Sequence, residues 1–268
     1  MFIFAADMNK YISFSGGVES TTMCILYGKG AKAIWCDTGA EHDVMYERID
    51  KVEKYLIELH KGDFELIRLK PKAKHKGKWY EGLLKLAIAY KFLPSPIARY
   101  CTGKFKIEPI DEYLSKLQNA TLMIGFNVDE ENAREGNFEK IKTITYEYPL
   151  VDDGYDRKDC EEILNLHGMH PKFPIYMSRG GCKMCIFKSK KEYKAMYFLN
   201  PKEYWQVVDF EESLQDARKK FYSIIPDISL RDLAAECERE KAFLGEAEIL
   251  KLYQREIKAK TCGAFCGR

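Results

Sequence analysis

Apolar and polar positions alternate along this chain in two periods. Residues 11–14, "YISF", read as a short buried strand, and residues 19–28 read as a helix that begins at the loop between them. "KAIWCDTG" reads as a second strand ending at Asp37-Thr38-Gly39. In "HDVMYERIDKVEKYLIELH", Met45, Ile49, Val52, Leu56 and Leu59 recur at spacings of 4, 3, 4 and 3, which is one face of a helix. "FELIRLK" is a third strand and "TLMIGF" a fourth, with helical stretches at 79–92 and 105–118 between them. Strands alternating with helices predict an α/β fold built on a parallel sheet with right-handed crossovers. Ligands of such sheets sit at the carboxyl ends of the strands, where Asp37, Thr38, Gly125 and Asn127 fall.

Past residue 150 the pattern changes. "DRKDCEEILNLHG" is a helix with Asp156 as N-cap and Gly168 as its stop. A proline-interrupted segment, "HGMHPKFPIYMSRGG", leads to Cys182-x-x-Cys185. Residues 189–258 read as all helical and strongly charged, and the chain closes on a Gly/Cys tail. The expected organisation is a nucleotide-binding α/β core over 1–150 and a helical, Cys-containing region over 151–268 that packs back on it.

Composition narrows the class. The 268 residues are 46% hydrophobic, ample for a core, and 43 Lys+Arg against 41 Asp+Glu give no global charge that argues for nucleic acid or membrane. No apolar run reaches about 18 residues, and "MFIFAADMNK" is too short for a secretory leader, so a cytoplasmic protein without a membrane partner is expected. The nine cysteines are then expected reduced, with Cys24 and Cys36, set in apolar runs, acting as small buried hydrophobes.

The loop "SGGVES" carries the first chemistry. Gly16 and Gly17 let the backbone approach a ligand closely, and a helix starting there offers unpaired N–H groups and a positive dipole end to an anion. Ser15 and Ser20 add hydroxyls. A tight strand–helix turn with serine as cap is the alternative.

Ser15-Gly16-Gly17-Val18-Glu19-Ser20 resembles the S-G-G-x-D-S pyrophosphate loop of the PP-loop, or adenine-nucleotide α-hydrolase, superfamily. "CDTGAEHDVMYERIDKV", "RYCTGKFKIEPIDEYL", "IGFNVDEENAR", "YPLVDDG" and "GGCKMCIFKSKKEY" resemble, in order, segments of the phosphoadenosine phosphosulfate (PAPS) reductase family, most closely its phage-type members, over about residues 11–210. The resemblance implies a Rossmann-like parallel sheet of the PP-loop (HUP-like) type. It implies that Ser15, Gly16, Gly17, Val18, Glu19 and Ser20 hold the phosphates of an adenine nucleotide, either ATP or an adenylyl sulfate (APS or PAPS). Asp37, Thr38 and Gly125 would lie beside it, and Arg134 would face phosphate or sulfate. Glu19 stands where the family pattern has Asp, which changes the reach of any carboxylate toward Mg²⁺.

Cys182 and Cys185 on a tight turn suit zinc or an iron–sulfur cluster, with a thioredoxin-type redox pair as the rival reading. The resemblance implies Cys101 as a third ligand of a [4Fe–4S] cluster, or of zinc. The family has a Cys-Cys pair where this chain has Tyr100-Cys101, so Cys262 or Cys266 would supply the fourth. Cys262 has a second reading, as the tail thiolate that attacks the substrate's sulfur. Three reactions follow: reduction or transfer of sulfur from an adenylyl sulfate with a thioredoxin-like reductant or sulfur donor; ATP cleavage to AMP and pyrophosphate to activate an acceptor for sulfur modification; or binding without chemistry. "KPKAKHKGK", residues 70–78, has five lysines and reads either as a solvated loop or as a phosphate contact, with Trp79 and Tyr80 able to stack on a base. Nucleic acid therefore stays among the partners considered.

Overall fold

The computed structural model describes residues 9–95, 97–130, 143–178 and 180–256. Five strands, β1 (Asn9–Ser13), β2 (Lys32–Cys36), β3 (Glu65–Leu69), β6 (Ala120–Met123) and β7 (Ile144–Glu147), form one parallel sheet in the order β3-β2-β1-β6-β7. The order reverses at β1, and this leaves a crevice beyond the carboxyl ends of β1 and β6. This is the expected α/β, Rossmann-like architecture. A two-stranded antiparallel hairpin, β4 (Lys72–His75) and β5 (Lys78–Glu81), stands beside it.

Period-2 alternation sorts the strand residues onto two faces. Ile12, Ala33 and Trp35 pack with helix α1 (Val18–Tyr27), helix α2 (Asp43–Leu59) and later helix residues Cys160 and Leu164. Their neighbours Tyr11, Ile34 and Cys36 face the other way, onto Ile110 and Leu114. Helices therefore cover both faces, as an all-parallel sheet requires. On α2 the residues Met45, Ile49, Val52 and Leu56 are buried as their spacing predicts, but Leu59 is 36% exposed because the helix ends there.

Three further readings are corrected. Helix α3 (Leu83–Tyr90) begins later than expected, because residues 78–81 pair into the hairpin and Gly82, at φ 79°, breaks the chain before it. The expected helix at 105–118 is composite: α4 (Tyr100–Thr102), a π turn (Gly103–Ile107) and α5 (Glu108–Leu114). Strand β7 adds a fifth strand to the four expected, its four residues being too few to display a period.

A short helix, α6 (Pro149–Asp152), precedes α7 (Arg157–Leu166), which begins as expected with Asp156 and Asp159 forming a reciprocal capping box, and Gly168 follows at φ 67°. Then come α8 (Lys190–Leu199), α9 (Pro201–Arg218), α10 (Leu230–Leu244) and α11 (Glu246–Glu256), whose apolar faces share one cluster with Met45, Ala87 and Leu93 of the sheet-bearing part. Their charge is not all solvated. Glu192, Glu203 and Glu211 are buried, and Glu211 accepts the amides of Ile224 and Leu230, both at 2.7 Å. Among the described residues no helix is long and apolar enough to cross a membrane.

The Asp156 cap is directly open to test. Asp156→Ala removes the bond to the Asp159 amide at 2.8 Å and is expected to cost about 1 kcal/mol in urea unfolding with the fold unchanged by circular dichroism.

Candidate functional site

β1 ends at Ser13, and the chain turns through Phe14–Gly17 into α1. Gly16 adopts φ 74°, and a Cβ there would stand 2.8 Å from the Ile49 Cδ1. Only glycine lets this loop lie flat on α2. Arg48, one turn from Met45 on α2, holds it there. Its Nε donates to the Gly16 carbonyl at 2.6 Å, Nη2 to the Thr21 hydroxyl at 3.3 Å, and Nη1 to the Met169 carbonyl at 3.1 Å. Burial lowers the Arg48 pKa to about 10, still charged at neutral pH. In the sequence Arg48 gives no signal, because its position on the helix reads as an ordinary surface charge.

Gly17 is the N-cap of α1 and has no side-chain cap, so the first amides of the helix stay open to a ligand. Ser15 and Ser20 hydroxyls stand 3.0 Å apart beside them, and the Ser20 Oγ accepts the Ser15 amide at 3.1 Å. The Val18 side chain goes into the core, so only its backbone is on the loop's outer side. Gly125, past the end of β6, closes the opposite side. A Cβ there would stand 3.2 Å from the Met23 sulfur and 3.3 Å from the Ser20 amide, so glycine permits the two loops to meet.

These loops form one end of a cleft of about 910 Å³, its open mouth included. It lies at the crevice where the strand order reverses. Ser15, Glu19, Ser20 and Gly125 line the loop end; Ile107, Ile110, Ile124 and Phe126 supply apolar walls; Lys106 and Glu41 add charge. Open amides at one end and an apolar slot nearby suit a phosphate joined to a flat ring. The buried Asn127 Oδ1 has no hydrogen-bond partner among the described residues, an acceptor that a ligand donor or water would satisfy.

Other expected residues sit differently. The Glu19 carboxylate lies at the cleft but accepts from Arg157 Nη1 at 2.5 Å and Asn127 Nδ2 at 3.3 Å, so it is already paired. Asp37 does not line the cleft: its Oδ1 accepts the Gly39 amide and the Tyr46 hydroxyl, both at 2.8 Å, and shapes the turn after β2. Thr38 is fully buried and donates to Glu41 Oε1 at 2.9 Å. Arg134, Cys262 and Cys266 lie outside the described residues.

The Cys182–Cys185 turn reaches the same region. A β-bridge pairs Glu41 with Cys182, the Lys183 amide donates to the Ala40 carbonyl at 2.9 Å, and the His42 amide to the Gly181 carbonyl at 3.2 Å. Cys182 Sγ stands 3.8 Å from Glu41 Oε1. Burial first, then the Glu41 carboxylate, pushes the Cys182 thiol well above its ordinary value, so it stays protonated. Cys101 packs with Cys182 against the cluster around Phe105. Among the described residues no three His, Cys, Asp or Glu side chains are placed to hold one metal ion. The Cys101, Cys182 and Cys185 set expected for a cluster or zinc is thus not assembled there, because Cys182 is turned to Thr38 and Glu41. Cys24, Cys36, Cys160 and Cys237 are buried, the first two as expected.

Behind this turn lies a polar network that the sequence does not reveal, since its members come from distant segments. Lys188 Nζ lies 3.2 Å from His42 Nε2 and donates to the Tyr176 carbonyl at 2.6 Å; His42 Nδ1 meets Glu203 Oε2 at 2.5 Å. Burial holds His42 below its ordinary pKa, so the neutral ring donates from Nδ1 and accepts at Nε2. Burial lowers Lys188 to about 8. Burial alone would raise Glu203, but bonds from His42 and the Asp43 amide outweigh it and hold the carboxyl at about 2. A depressed carboxyl stabilises the fold above its unfolded pKa near 4.5 and loses that contribution as pH falls toward 2. Glu203→Gln has no such titration, so the stability gap between wild type and variant is expected to shrink by about 2–3 kcal/mol between pH 5 and pH 2 in urea unfolding. A constant gap would contradict the assignment.

Comparison with known proteins agrees with this geometry. The family model described as the phosphoadenosine phosphosulfate reductase domain matches residues 9–144, just over half of the chain. No curated protein matches significantly. The matched span runs from β1 to the first residue of β7 and includes both glycine-bearing loops, and the chain belongs to the phosphoadenosine phosphosulfate reductase domain family.

Proposed function

We propose that this protein binds an adenine nucleotide with its phosphate on the Ser15–Ser20 loop and acts in reduction or transfer of sulfur from an adenylyl sulfate. The observation that carries this reading is the continuity of one cleft. It runs from the open amides of α1 to Glu41, the carboxylate beside the Cys182 thiol. A phosphate on the loop would thereby lie in the same cleft as a carboxylate next to the cysteine turn, which supports the reading. Engagement of Glu19 by Arg157 supports a sulfated nucleotide over Mg²⁺-ATP, because the loop's own carboxylate is already paired.

In the proposed reaction a thiolate attacks the sulfate sulfur, the bond from sulfur to the nucleotide oxygen breaks, and the nucleoside phosphate leaves. A thioredoxin-like dithiol then attacks the protein's sulfur and releases sulfite, its second thiol closing the disulfide. The resemblance assigns the attacking thiol to Cys262. The helix-end amides and Lys106 would stabilise the phosphate charge that grows as the bond breaks.

Thermal unfolding with ATP, adenylyl sulfate or PAPS, each with and without Mg²⁺, tests the reading. A sulfated nucleotide at a hundredfold excess over its Kd is expected to raise Tm by about 5 °C without Mg²⁺. Stabilisation by Mg²⁺-ATP alone, with pyrophosphate released, would overturn it in favour of acceptor activation. Tight nucleotide binding with no turnover would reduce the protein to a binding module.

A further inference from the structure

The lysine-rich segment is neither a loop nor part of the nucleotide cleft. Residues 72–75 and 78–81 pair as an antiparallel hairpin closed by the two-residue turn Lys76-Gly77, at φ 46° and 80°. Positive φ at both turn residues matches the right-handed twist of the flanking strands. The pleat then separates two faces. Ala73, buried, and Tyr80, half-buried, face inward onto Leu83, Leu86 and Phe105. Lys72, Lys74, Trp79 and Glu81 share the outer face, since Lys72 pairs with Glu81 and Lys74 with Trp79.

That outer face has an unusual composition. Residues 70–81 carry five lysines against one glutamate, more positive than the whole chain at +2, and all five lysines are exposed. Glu81 meets Lys72 at 3.2 Å with both side chains more than half exposed, a pairing worth little in water. Trp79 is 65% exposed, with Lys74 Nζ 5.9 Å from its ring centroid. None of the hairpin lysines lines the cleft, so they are not contacts for the nucleotide bound there.

We infer that this hairpin is a docking surface for single-stranded nucleic acid. Lysines spaced along a strand meet backbone phosphates, and an upright exposed indole offers a stacking face to an unpaired base. A duplex keeps its bases stacked internally and cannot use Trp79 in this way. The hairpin is also fixed relative to the cleft. Leu83, which follows it, donates its amide to the Thr38 carbonyl at 2.8 Å, and β4 packs on the π turn that carries Lys106 and Ile107 to the cleft wall. A bound strand would therefore be held beside the nucleotide site. Docking on the hairpin does not depend on which nucleotide the cleft takes.

Fluorescence anisotropy of a labelled mixed-sequence 12-mer, titrated with the full chain between 50 and 200 mM salt, tests it. Saturable binding is expected, stronger for single strands than for the same sequence as duplex. K72Q/K74Q should flatten the log–log salt slope by about 1.4, at about 0.7 for each phosphate no longer neutralised. Trp79→Ala should weaken binding about fivefold or more while the slope stays as in wild type. Both variants should keep the wild-type Tm shift with nucleotide, which separates a failure here from a failure of the nucleotide reading. Absence of saturable binding, or binding that neither variant alters, would overturn the inference. So would equal or tighter binding to duplex, to an acidic polypeptide or to anionic phospholipid vesicles.

Discussion

The Gly16 carbonyl, held by the Arg48 guanidinium at 2.6 Å, is the contact on which the site depends. It presses the loop onto α2, at a spacing that no side chain at residue 16 would allow. The same guanidinium reaches Thr21 on α1 and Met169 beyond α7, so one cation ties the loop to α1 and to the start of the C-terminal region. With the loop fixed from behind, the amides at the start of α1 are left without a side-chain cap beside the crevice, the arrangement on which the proposed phosphate site rests. An anion bound there would not have to order the backbone first, which is where preorganised binding gains its affinity.

A second tie joins the remaining helices to the site. The β-bridge between Glu41 and Cys182 brings the cysteine turn to the end of β2, and the buried Lys188–His42–Glu203 chain locks that turn to α9. Such a network is favourable only when each member is satisfied. Here the neutral His42 serves as the hinge between a cation and a carboxylate. The helices rich in Glu and Lys thus do more than solvate a surface. They hold the Cys182–Cys185 turn against the end of β2.

Much of this is legible in the chain. Met45, Ile49, Val52 and Leu56 announce α2 because a helix packed on one side of a sheet must bury one stripe. Asp156 and Gly168 announce the bounds of α7 through local backbone chemistry alone. The glycine turn between β1 and α1 is legible because Gly-Gly after a buried strand marks a close backbone approach, here the contact of Gly16 with Ile49. What stays hidden has a common cause in tertiary partners. Thr38 reads as facing the ligand, yet it is turned inward by Glu41, three residues on. Arg48, Glu203 and Lys188 look like surface charges until their neighbours from other segments are in place. The hairpin is hidden because its alternation of lysine with Ala73 and His75 lacks the apolar signal by which strands are recognised.

The measurement that bears most directly on the central claim is a crystal structure of the protein with adenylyl sulfate. The nucleotide's phosphate is expected within hydrogen-bond distance of the amides at the start of α1, between the Ser15–Ser20 and Gly125 loops, with the adenine in the apolar slot of Ile107, Ile110, Ile124 and Phe126. A nucleotide bound outside this cleft, or a phosphate that makes no contact with the Gly16–Ser20 backbone, would contradict it.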